Sequence, residues 1–468
     1  MITRIITYTA AFLLLLSGCT VSKDISTPVN TTPAAFRNGT EDTANIATIQ
    51  WKTFFTDAAL QKLVDSAISN NYDMQVAVKN IEAAQLIVKQ TKLGNLPAAN
   101  LQIGASINRP SDNSLNGLSL SQFLGKSYVE DYSASLALSW EADIWGKIKN
   151  QKAKALATYL QTAEARKAIQ TNLVADVAKG YYNLLMLDAQ LAIARKNVLL
   201  NDSTLRIIQL QYNAGQVTAL GVQQAEAQRL VAVQLIPLLQ QTITIQENAL
   251  SVLTGVVPAA IERSSELKNI VAAQNISSGV PSQLVSSRPD VKMYELALTI
   301  ANANTGIAKA NLYPSLTITA AGGVNSFKAS NWFNIPASLF GTALGGITQP
   351  LFQRKQLKTQ YELAKVEREK TVIQFRQSVL NAVGEVSDAL VKTTKLKEQE
   401  TVATTRVNTL QQAISNADLL FKNGMATYLE VITAQSNTLQ GELELAALKK
   451  EQLSAVVELY RALGGGWN

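Results

Sequence analysis

Proline limits what this chain can fold into more than any other feature of its sequence. No proline lies between Pro110 and Pro237, and none follows Pro350. Proline breaks a helix because it lacks a backbone N–H and its ring collides with the preceding turn. Each proline-free stretch can therefore hold a helix far longer than the three or four turns usual in a globular domain.

Both stretches carry an apolar pattern of helical period, one from about Ile148 to Tyr212 and the other from about Lys355 to Phe421. The apolar positions are Leu173, Val177, Tyr181, Leu184, Leu187 and Leu191 in the first stretch, and Val372, Phe375, Val379, Val386 and Leu390 in the second. Their spacing predicts helices with a coiled-coil seam. Roughly 65 residues at about 1.5 Å each make a rod on the order of 100 Å, which is too long for one compact domain.

The chain also repeats itself. Tyr212–Leu220 is followed by the similar Phe421–Leu429 at an offset of 209 positions. In both copies a glycine follows the long helix and a threonine precedes the next apolar pattern: Gly215 and Thr218 in the first, Gly424 and Thr427 in the second. Glycine is a frequent helix stop and threonine a good N-cap, so each copy is predicted to be a helical hairpin with a tight tip.

A second pair of similar segments extends the repeat. Leu93–Pro97 precedes Ala310–Pro314 by 217 positions, and the different offset indicates small insertions between the matching segments. We therefore expect a unit of roughly 200 residues to be used twice. The expected boundaries are an extended arm over 19–56, a first repeat over 57–254, a connector over 255–286, a second repeat over 287–463 and a tail over 464–468.

A different residue pattern lies between each short opening helix and the long helix that follows it. Apolar and small polar residues alternate over about 100–108, 131–140, 315–323 and 337–347, the last being the least regular. Alternation predicts strands with two unlike faces. Lengths near 9–11 residues suit a tilted transmembrane strand. The alternative is a soluble hairpin packed on the helices.

The N-terminus has the pattern of a signal peptide over 1–18. Ala10–Leu16 is an apolar core too short to span a bilayer, and Leu16-Ser17-Gly18-Cys19 follows it. This run resembles the lipobox of bacterial lipoproteins, which implies a covalent lipid on Cys19, and Thr20 after it favours the outer membrane. The alternative is an ordinary signal peptide with an unmodified cysteine. The lipobox favours the membrane interpretation of the strands.

Composition excludes most catalytic chemistry. The 468 residues include no histidine and one cysteine, which excludes Ser-His-Asp and Cys-His nucleophiles, histidine-ligated metals and intrachain disulfides. The net charge of +7 is spread out, without a basic run containing aromatics, so a nucleic-acid partner is not expected. We predict no enzyme, no metal site and no cofactor apart from the lipid.

Four transmembrane strands cannot close on themselves, and an open edge in hydrocarbon leaves backbone groups without hydrogen bonds. If the strands span a membrane, the chain must oligomerise. Two copies would supply eight strands, which their own side chains fill, and three would supply twelve, with room for a lumen. Joined to long helical hairpins, such a structure is a conduit.

Five segments, in order, resemble outer-membrane efflux proteins of the TolC/OprM/NodT family, in its lipoprotein branch. They are Trp51–Asp57, Ala67–Asp73 leading into Ile81–Ala84, Trp140–Lys147, Arg288–Val291 with Ala301–Ala303 and Tyr313–Leu316, and Leu463–Trp467. The resemblance covers nearly the whole mature chain. It assigns a structural role to Arg288, Pro289, Asp290, Pro314, Gly464, Gly465, Gly466 and Trp467. The charges of Arg288 and Asp290 favour a structural contact over a charged site, because Pro289 between them is a helix-start residue.

The resemblance implies a mainly α fold with a membrane β-barrel portion. The family forms homotrimers, in which four strands per chain build a 12-stranded barrel on a periplasmic barrel of twelve helices, with a mixed equatorial belt. It implies localisation in the outer membrane of a Gram-negative bacterium, projecting into the periplasm. The partners implied are outer-membrane lipid, a periplasmic membrane-fusion adaptor and an inner-membrane pump of the RND type. The chain would passively conduct small molecules such as drugs or metal ions.

The tips carry the residues to which the resemblance assigns function. Leu429, Glu430 and Thr433 are expected at the periplasmic constriction, and because some relatives carry an aspartate where this chain has Thr433, the constriction is expected to be mainly apolar. The residues expected to meet the adaptor are Asn213, Gly215, Gln216, Thr218, Lys422, Asn423, Gly424 and Thr427. The requirements of a tight turn explain the glycines and threonines at these positions. Their contribution to function is to place the neighbouring side chains at the mouth.

Two other functions remain open at this point. Within the same fold, the chain could be the outer-membrane exit of a type I protein secretion system, although the lipobox and the closing motif favour efflux. In a different class, it could be a structural periplasmic coiled-coil lipoprotein, which predicts no membrane-embedded β-structure and no conductance.

Overall fold

A computed structural model describes residues 36, 49–270, 281 and 287–468. The predictions for the signal peptide, for Cys19, and for most of the arm and part of the connector lie outside these residues. The described residues belong to two compact units. Unit one consists of 83–160 and 296–373, and unit two of the described parts of 29–82, 161–295 and 374–468.

The described residues form nine α-helices and four β-strands, with single 3₁₀ turns at Leu93–Asn95, Leu267–Asn269 and Ala329–Asn331. The helices are α1 (Trp51–Phe54), α2 (Ala58–Asn70), α3 (Tyr72–Lys92), α4 (Leu115–Leu124), α5 (Lys147–Asn213), α6 (Ala219–Leu253), α7 (Pro289–Ala310), α8 (Gln356–Lys422) and α9 (Tyr428–Ala462). The strands are β1 (Ala98–Asn108), β2 (Val129–Ala142), β3 (Ser315–Ser326) and β4 (Leu339–Thr348).

The long helices begin and end within one residue of the predicted limits. Helices α5 and α8 have 67 residues each, and α6 and α9 have 35 each. Asp143 caps α5, because its carboxylate accepts from the N–H groups of Ile148 and Lys149 at 2.9 and 2.8 Å. At the start of α8, Arg354 and Lys355 have φ of 50° and 64°. No helix in the described ranges is long and apolar enough to cross a membrane.

Unit one contains one antiparallel sheet in the order β1-β2-β3-β4. Ala98 lies opposite Ser139, Ser139 opposite Thr319, and Ser315 opposite Thr348. One face carries aliphatic side chains on every strand, including Leu101, Ile103, Leu136, Leu138, Leu316, Ile318, Leu339 and Ile347. The other face carries mostly Ser, Thr, Asn, Gln, Gly and Ala, and its larger apolar side chains are Val129, Phe340 and Leu344. The predicted two unlike faces are present, and every residue of β1 is exposed.

Two tryptophans make contacts at the end of this sheet where β1 and β3 begin. The Trp140 indole donates to the Asn95 carbonyl at 2.7 Å. The Trp145 indole donates to the Pro314 carbonyl at 2.6 Å and stacks on Tyr313 at 4.7 Å. Both indoles therefore make packing contacts within unit one. Helix α4, between β1 and β2, was not predicted.

The main core lies in unit two, where helices α2, α5 and α9 contribute fully buried side chains. Tyr181, Leu60, Val64, Leu459 and Leu463 are no more than 2% exposed. Phe54 stacks on Tyr460 with ring centroids 4.1 Å apart. This core contains the middle parts of α5 and α8 and the C-terminal part of α9.

Candidate functional site

The two hairpin tips have the same backbone geometry. Gly215 and Gly424 have φ of 74° and 71°, the left-handed region in which a Cβ is strained. Beyond each glycine, a backbone N–H reaches back to the helix: Gln216 donates to the Gln211 carbonyl and Met425 to the Leu420 carbonyl, both at 2.8 Å. This pattern ends both helices with a Schellman motif.

The next helices begin at the predicted threonines, Thr218 and Thr427. At Thr427 the cap is reciprocal: the Thr427 hydroxyl oxygen accepts from the Glu430 N–H, and the Glu430 carboxylate accepts from the Thr427 N–H at 2.9 Å. The carboxylate also contacts the Thr427 hydroxyl. This is a capping box, and the sequence signal for it, threonine followed three positions later by glutamate, was missed. The donors at Thr427 lower the pKa of Glu430 below its ordinary value. Glu430 is therefore engaged in shaping the tip.

A small apolar core holds the two tips side by side in unit two. Ile208, Ala225, Phe421 and Val431 are buried together, and we call them the tip cluster. Beside it, Gly221 faces the ring of Tyr428, where a Cβ would lie 3.0 Å from the ring carbon. Only a glycine allows this approach without displacement, and no local sequence pattern indicated the contact.

A groove of about 480 Å³ lies between the tips. Its walls are Gln211, Gln216, Val217 and Thr218 from the first tip and Phe421, Gly424, Ala426, Thr427 and Tyr428 from the second. Amide and hydroxyl groups around an apolar floor can both hydrogen-bond and bury part of another protein.

The structure brings the predicted tip residues together at one end of unit two. All eight residues predicted to meet the adaptor are exposed. Among the predicted constriction residues, Leu429 is 54% exposed and Thr433 is exposed as well. Met425, which the sequence did not single out, is 77% exposed beside them. The second tip therefore presents apolar side chains that have no partner within the described parts of the chain.

Two of the predicted family segments, Arg288–Asp290 and the C-terminal motif Gly464–Trp467, form a structural site in unit two near the C-terminal end of α9. Arg288 is 4% exposed. Its Nε and Nη2 donate to the two carboxylate oxygens of Asp290 at 3.0 and 2.6 Å, and its Nη1 lies 3.0 Å from the Glu385 carboxylate. It also donates to the Ala462 carbonyl at 3.0 Å. Burial opposes the charge of the guanidinium, but the carboxylates outweigh burial and raise its pKa. Arg288 thus makes several polar contacts within this chain, and Pro289 is the first residue of α7.

The C-terminal motif packs against the same site. Gly464 and Gly466 have φ of 97° and 104°, and a Cβ at Gly464 would lie 2.5 Å from the Ser287 carbonyl oxygen. The Lys167 ammonium lies over the Trp467 ring, 4.4 Å from its centroid. These residues close the core of unit two. The described residues contain no group of acidic or cysteine side chains arranged to hold a metal ion.

Comparison with known proteins places the chain in one family. The model of the outer membrane efflux protein family matches residues 63–256 and 280–465. The chain is 30% identical over 467 residues to the toluene efflux pump outer membrane protein TtgF of Pseudomonas putida, covering 97% of this chain and 95% of TtgF. It is 28% identical over 458 residues to the cation efflux system protein CusC of Escherichia coli, covering 97% of each.

The solved structure of CusC has the same fold. It superposes with a TM-score of 0.84 at 26% identity, covering 96% of this chain and all of that one. The four-stranded sheet, the long helical hairpins and the family motifs thus occur together, as the sequence predicted. Because the family model matches both halves, the chain belongs to the outer membrane efflux protein family.

Proposed function

We propose that three copies of this chain form the outer-membrane exit duct of a tripartite efflux pump. One observation carries this proposal: the sheet has two open edges, β1 and β4, and presents an aliphatic face and a polar face. An aliphatic face suits lipid and a polar face suits a lumen. The open edges need strands from other copies, because hydrocarbon satisfies no backbone hydrogen bonds.

The chain itself contains a template for that contact. In the first repeat, Ser139 of β2 lies opposite Ala98 of β1. In the second repeat, Thr348 of β4 lies opposite Ser315 of β3. Strand β3 therefore corresponds to β1, and strand β4 corresponds to β2. Within the chain, Ser139 pairs with Thr319 of β3. The corresponding contact between copies places Thr348 opposite Gln102 of a second copy. This register sets polar residues on the same face and puts Ile347 opposite the second copy's Ile103 on the aliphatic face.

The helices of unit two support the same arrangement. Leu380 and Val391 on α8 are 70% and 40% exposed, whereas their counterparts on α5, Thr171 and Tyr182, are 6% and 7% exposed. The same faces are thus covered in one half of the chain and open in the other. A second copy would cover them, since leaving them in water sacrifices apolar burial.

Cross-linking and conductance test this proposal. In a Cys19→Ser background, Thr348→Cys with Gln102→Cys should form disulfide-linked dimers and trimers, because the two positions do not face each other within one chain. Thr348→Cys with Asn100→Cys is the register control. Purified protein should form pores in a planar lipid bilayer. Trimers with no conductance would contradict the channel, and cross-links only in the control would contradict the register.

The finer assignments form part of the same proposal. A lipid on Cys19 anchors the chain, the tips dock to a periplasmic adaptor, and an inner-membrane pump of the RND type supplies the energy. The cargo consists of small molecules or metal ions, in keeping with the toluene and cation named for TtgF and CusC. Cys19→Ser should stop incorporation of labelled palmitate while trimers still form. Deleting the gene should cause hypersensitivity to drugs or metals, whereas loss of a secreted protein would indicate a secretion duct.

A further inference from the structure

The buried faces of two long helices change from apolar to polar at one level in unit two. On α5, buried Leu184, Leu187 and Ala194 are followed by Asn197, Asn201 and Thr204, and then by Ile208. On α9, buried Val431 is followed by Gln435 and Thr438, and buried Leu439 comes directly after them. We call Asn197, Asn201, Thr204, Gln435 and Thr438 the polar layer. Each of the five is less than a tenth exposed.

One hydrogen bond joins the two helices across this layer. The Gln435 amide nitrogen donates to the Thr204 hydroxyl at 2.7 Å. Asn201 donates to the Asn197 side chain at 2.6 Å within α5. Thr438 donates to the Ala434 carbonyl at 2.8 Å within α9 and lies 3.3 Å from the Leu410 carbonyl of α8. The Gln435 side-chain oxygen has no hydrogen-bond partner among the described residues, although Gln435 is 1% exposed.

The layer separates two apolar clusters of unit two. On one side lies the tip cluster of Ile208, Ala225, Phe421 and Val431. On the other lies a cluster of Leu184, Leu187, Ala194, Leu239, Ile243 and Leu250. At the same level, α5 and α6 are joined by charges, since Arg229 pairs with Asp202 and lies 3.6 Å from Glu226. Thr204 precedes the last residue of α5, Asn213, by nine positions, or about 14 Å.

We propose that the polar layer is the hinge at which the tip hairpins move when the mouth of the duct opens. This inference rests on the proposed function, which places a constriction at the tips. Separating apolar layers exposes hydrocarbon to water, whereas polar side chains can exchange their partners for water at small net cost. The Gln435 oxygen would gain a partner in the open state that it lacks in the closed one. Opening therefore occurs at this level, and the apolar clusters on either side move as blocks.

A buried polar layer can instead do no more than fix the pairing of two helices. The test must separate these two roles. Gln435→Leu replaces the amide with an apolar group of similar size, and Thr204 keeps a partner because its hydroxyl also donates to the Leu200 carbonyl at 3.2 Å. The closed state should gain packing and lose its unpaired acceptor. Open probability in planar bilayers should fall about tenfold.

Gln452→Leu is the matched control. Gln452 lies on the same helix, is 7% exposed and also has an unpaired side-chain oxygen, but it lies outside the polar layer. It should stabilise the trimer to heat without changing open probability. Hydrogen exchange adds a second measurement: amides of residues 200–206 should exchange faster than those of residues 184–190 in the wild type, and Gln435→Leu should slow them.

The outcomes decide the proposal. Open probability that falls for Gln435→Leu alone, with slower exchange at the layer, supports the hinge. An equal fall for Gln452→Leu means general stiffening and overturns it. If Gln435→Leu keeps the wild-type open probability, the polar layer only fixes the pairing of the helices, and the hinge proposal is overturned as well. If the wild-type protein forms no pores at all, the proposed function fails first.

Discussion

The ring of Tyr428, at the second tip, packs against Gly221 at the first tip so closely that it occupies the space that a side chain at position 221 would need. A Cβ on Gly221 would lie 3.0 and 3.1 Å from two ring carbons. Gly221 is the third residue of α6 and Tyr428 is the first residue of α9, so the contact joins the first turns of the second helix in each hairpin. It fixes how near the tips can come.

Gly221→Val should therefore loosen the closed mouth. The branched side chain must displace the Tyr428 ring, and overpacking of this kind typically costs about 1–3 kcal/mol. We expect larger basal conductance and entry of large antibiotics that the wild type excludes. Gly384→Ala is the control, because nothing lies within 4 Å of the added methyl group and alanine is the better helix former. Wild-type conductance in Gly221→Val would mean that the Tyr428 contact does not restrain the mouth.

Leu429→Ala should also open the mouth, if three copies of this exposed leucine close it. Truncating a leucine buried in a ring typically costs about 2–5 kcal/mol, and part of that is enough to shift a closed–open balance. Single-channel conductance or open probability should rise. Thr433→Ala should change little, and Leu220→Ala, at the corresponding place on the first tip, should act on adaptor coupling. An open pore in Thr433→Ala beside a normal Leu429→Ala would show that the constriction is polar.

Arg288→Met should destabilise unit two. It leaves Asp290, which is 48% exposed, without its cation, while Glu385 keeps Arg461 at 3.2 Å. The loss should therefore stay below the value of about 3–5 kcal/mol that is typical when one partner of a fully buried pair is removed. Heating trimers before gel electrophoresis measures the loss as a lower dissociation temperature. Lys395→Met is the matched control, since Lys395 is exposed and pairs with Glu398 at 2.9 Å on the surface of α8, a contact worth about 0–1 kcal/mol. Equal effects would contradict the structural role of Arg288.

Stability should fall in acid partly through Asp57. Burial opposes ionisation of its carboxyl, but hydrogen-bond donors outweigh burial and lower its pKa from the ordinary 3.8. The donors include the Leu60 N–H at 2.9 Å and the hydroxyls of Ser264 and Tyr181 at 2.9 and 3.1 Å. A lowered folded-state pKa contributes stability above pH 3.8, and this contribution is lost as the pH falls through the folded value. Burial raises the pKa of Tyr181 to about 12, so its hydroxyl remains a donor.

The measurement is the urea midpoint between pH 7 and pH 3. Asp57→Asn should be less stable at pH 7 and should depend less on pH over this range. Exposed Asp65, which pairs with Lys52 at 2.9 Å, serves as the control: Asp65→Asn should keep the wild-type pH dependence. A wild-type slope in Asp57→Asn would mean that this carboxyl titrates alike in the folded and unfolded chain.

The sequence predicted most of the backbone because its signals are local. Proline-free stretches, Gly215 and Gly424 as helix stops, and alternating strands depend on neighbours in the chain, and the helices and strands lie where these signals place them. Contacts between distant positions could not be predicted. Gly221 against Tyr428, and Gln435 against Thr204, join residues about two hundred positions apart, and neither residue type identifies its partner. The capping box of Thr427 and Glu430 was readable in the sequence.

The equal lengths of the paired helices restrict which insertions and deletions this chain can accept during evolution. Each residue added to a helix advances its end by about 1.5 Å and turns it by about 100°. One residue inserted in α5 alone would rotate the Gly215 turn away from the Gly424 turn and break the fit of Gly221 to Tyr428. Substitutions can accumulate singly along these helices, but insertions and deletions must occur together in α5, α6, α8 and α9. Homologous chains should therefore differ in tip-to-belt length by the same number of residues in all four helices.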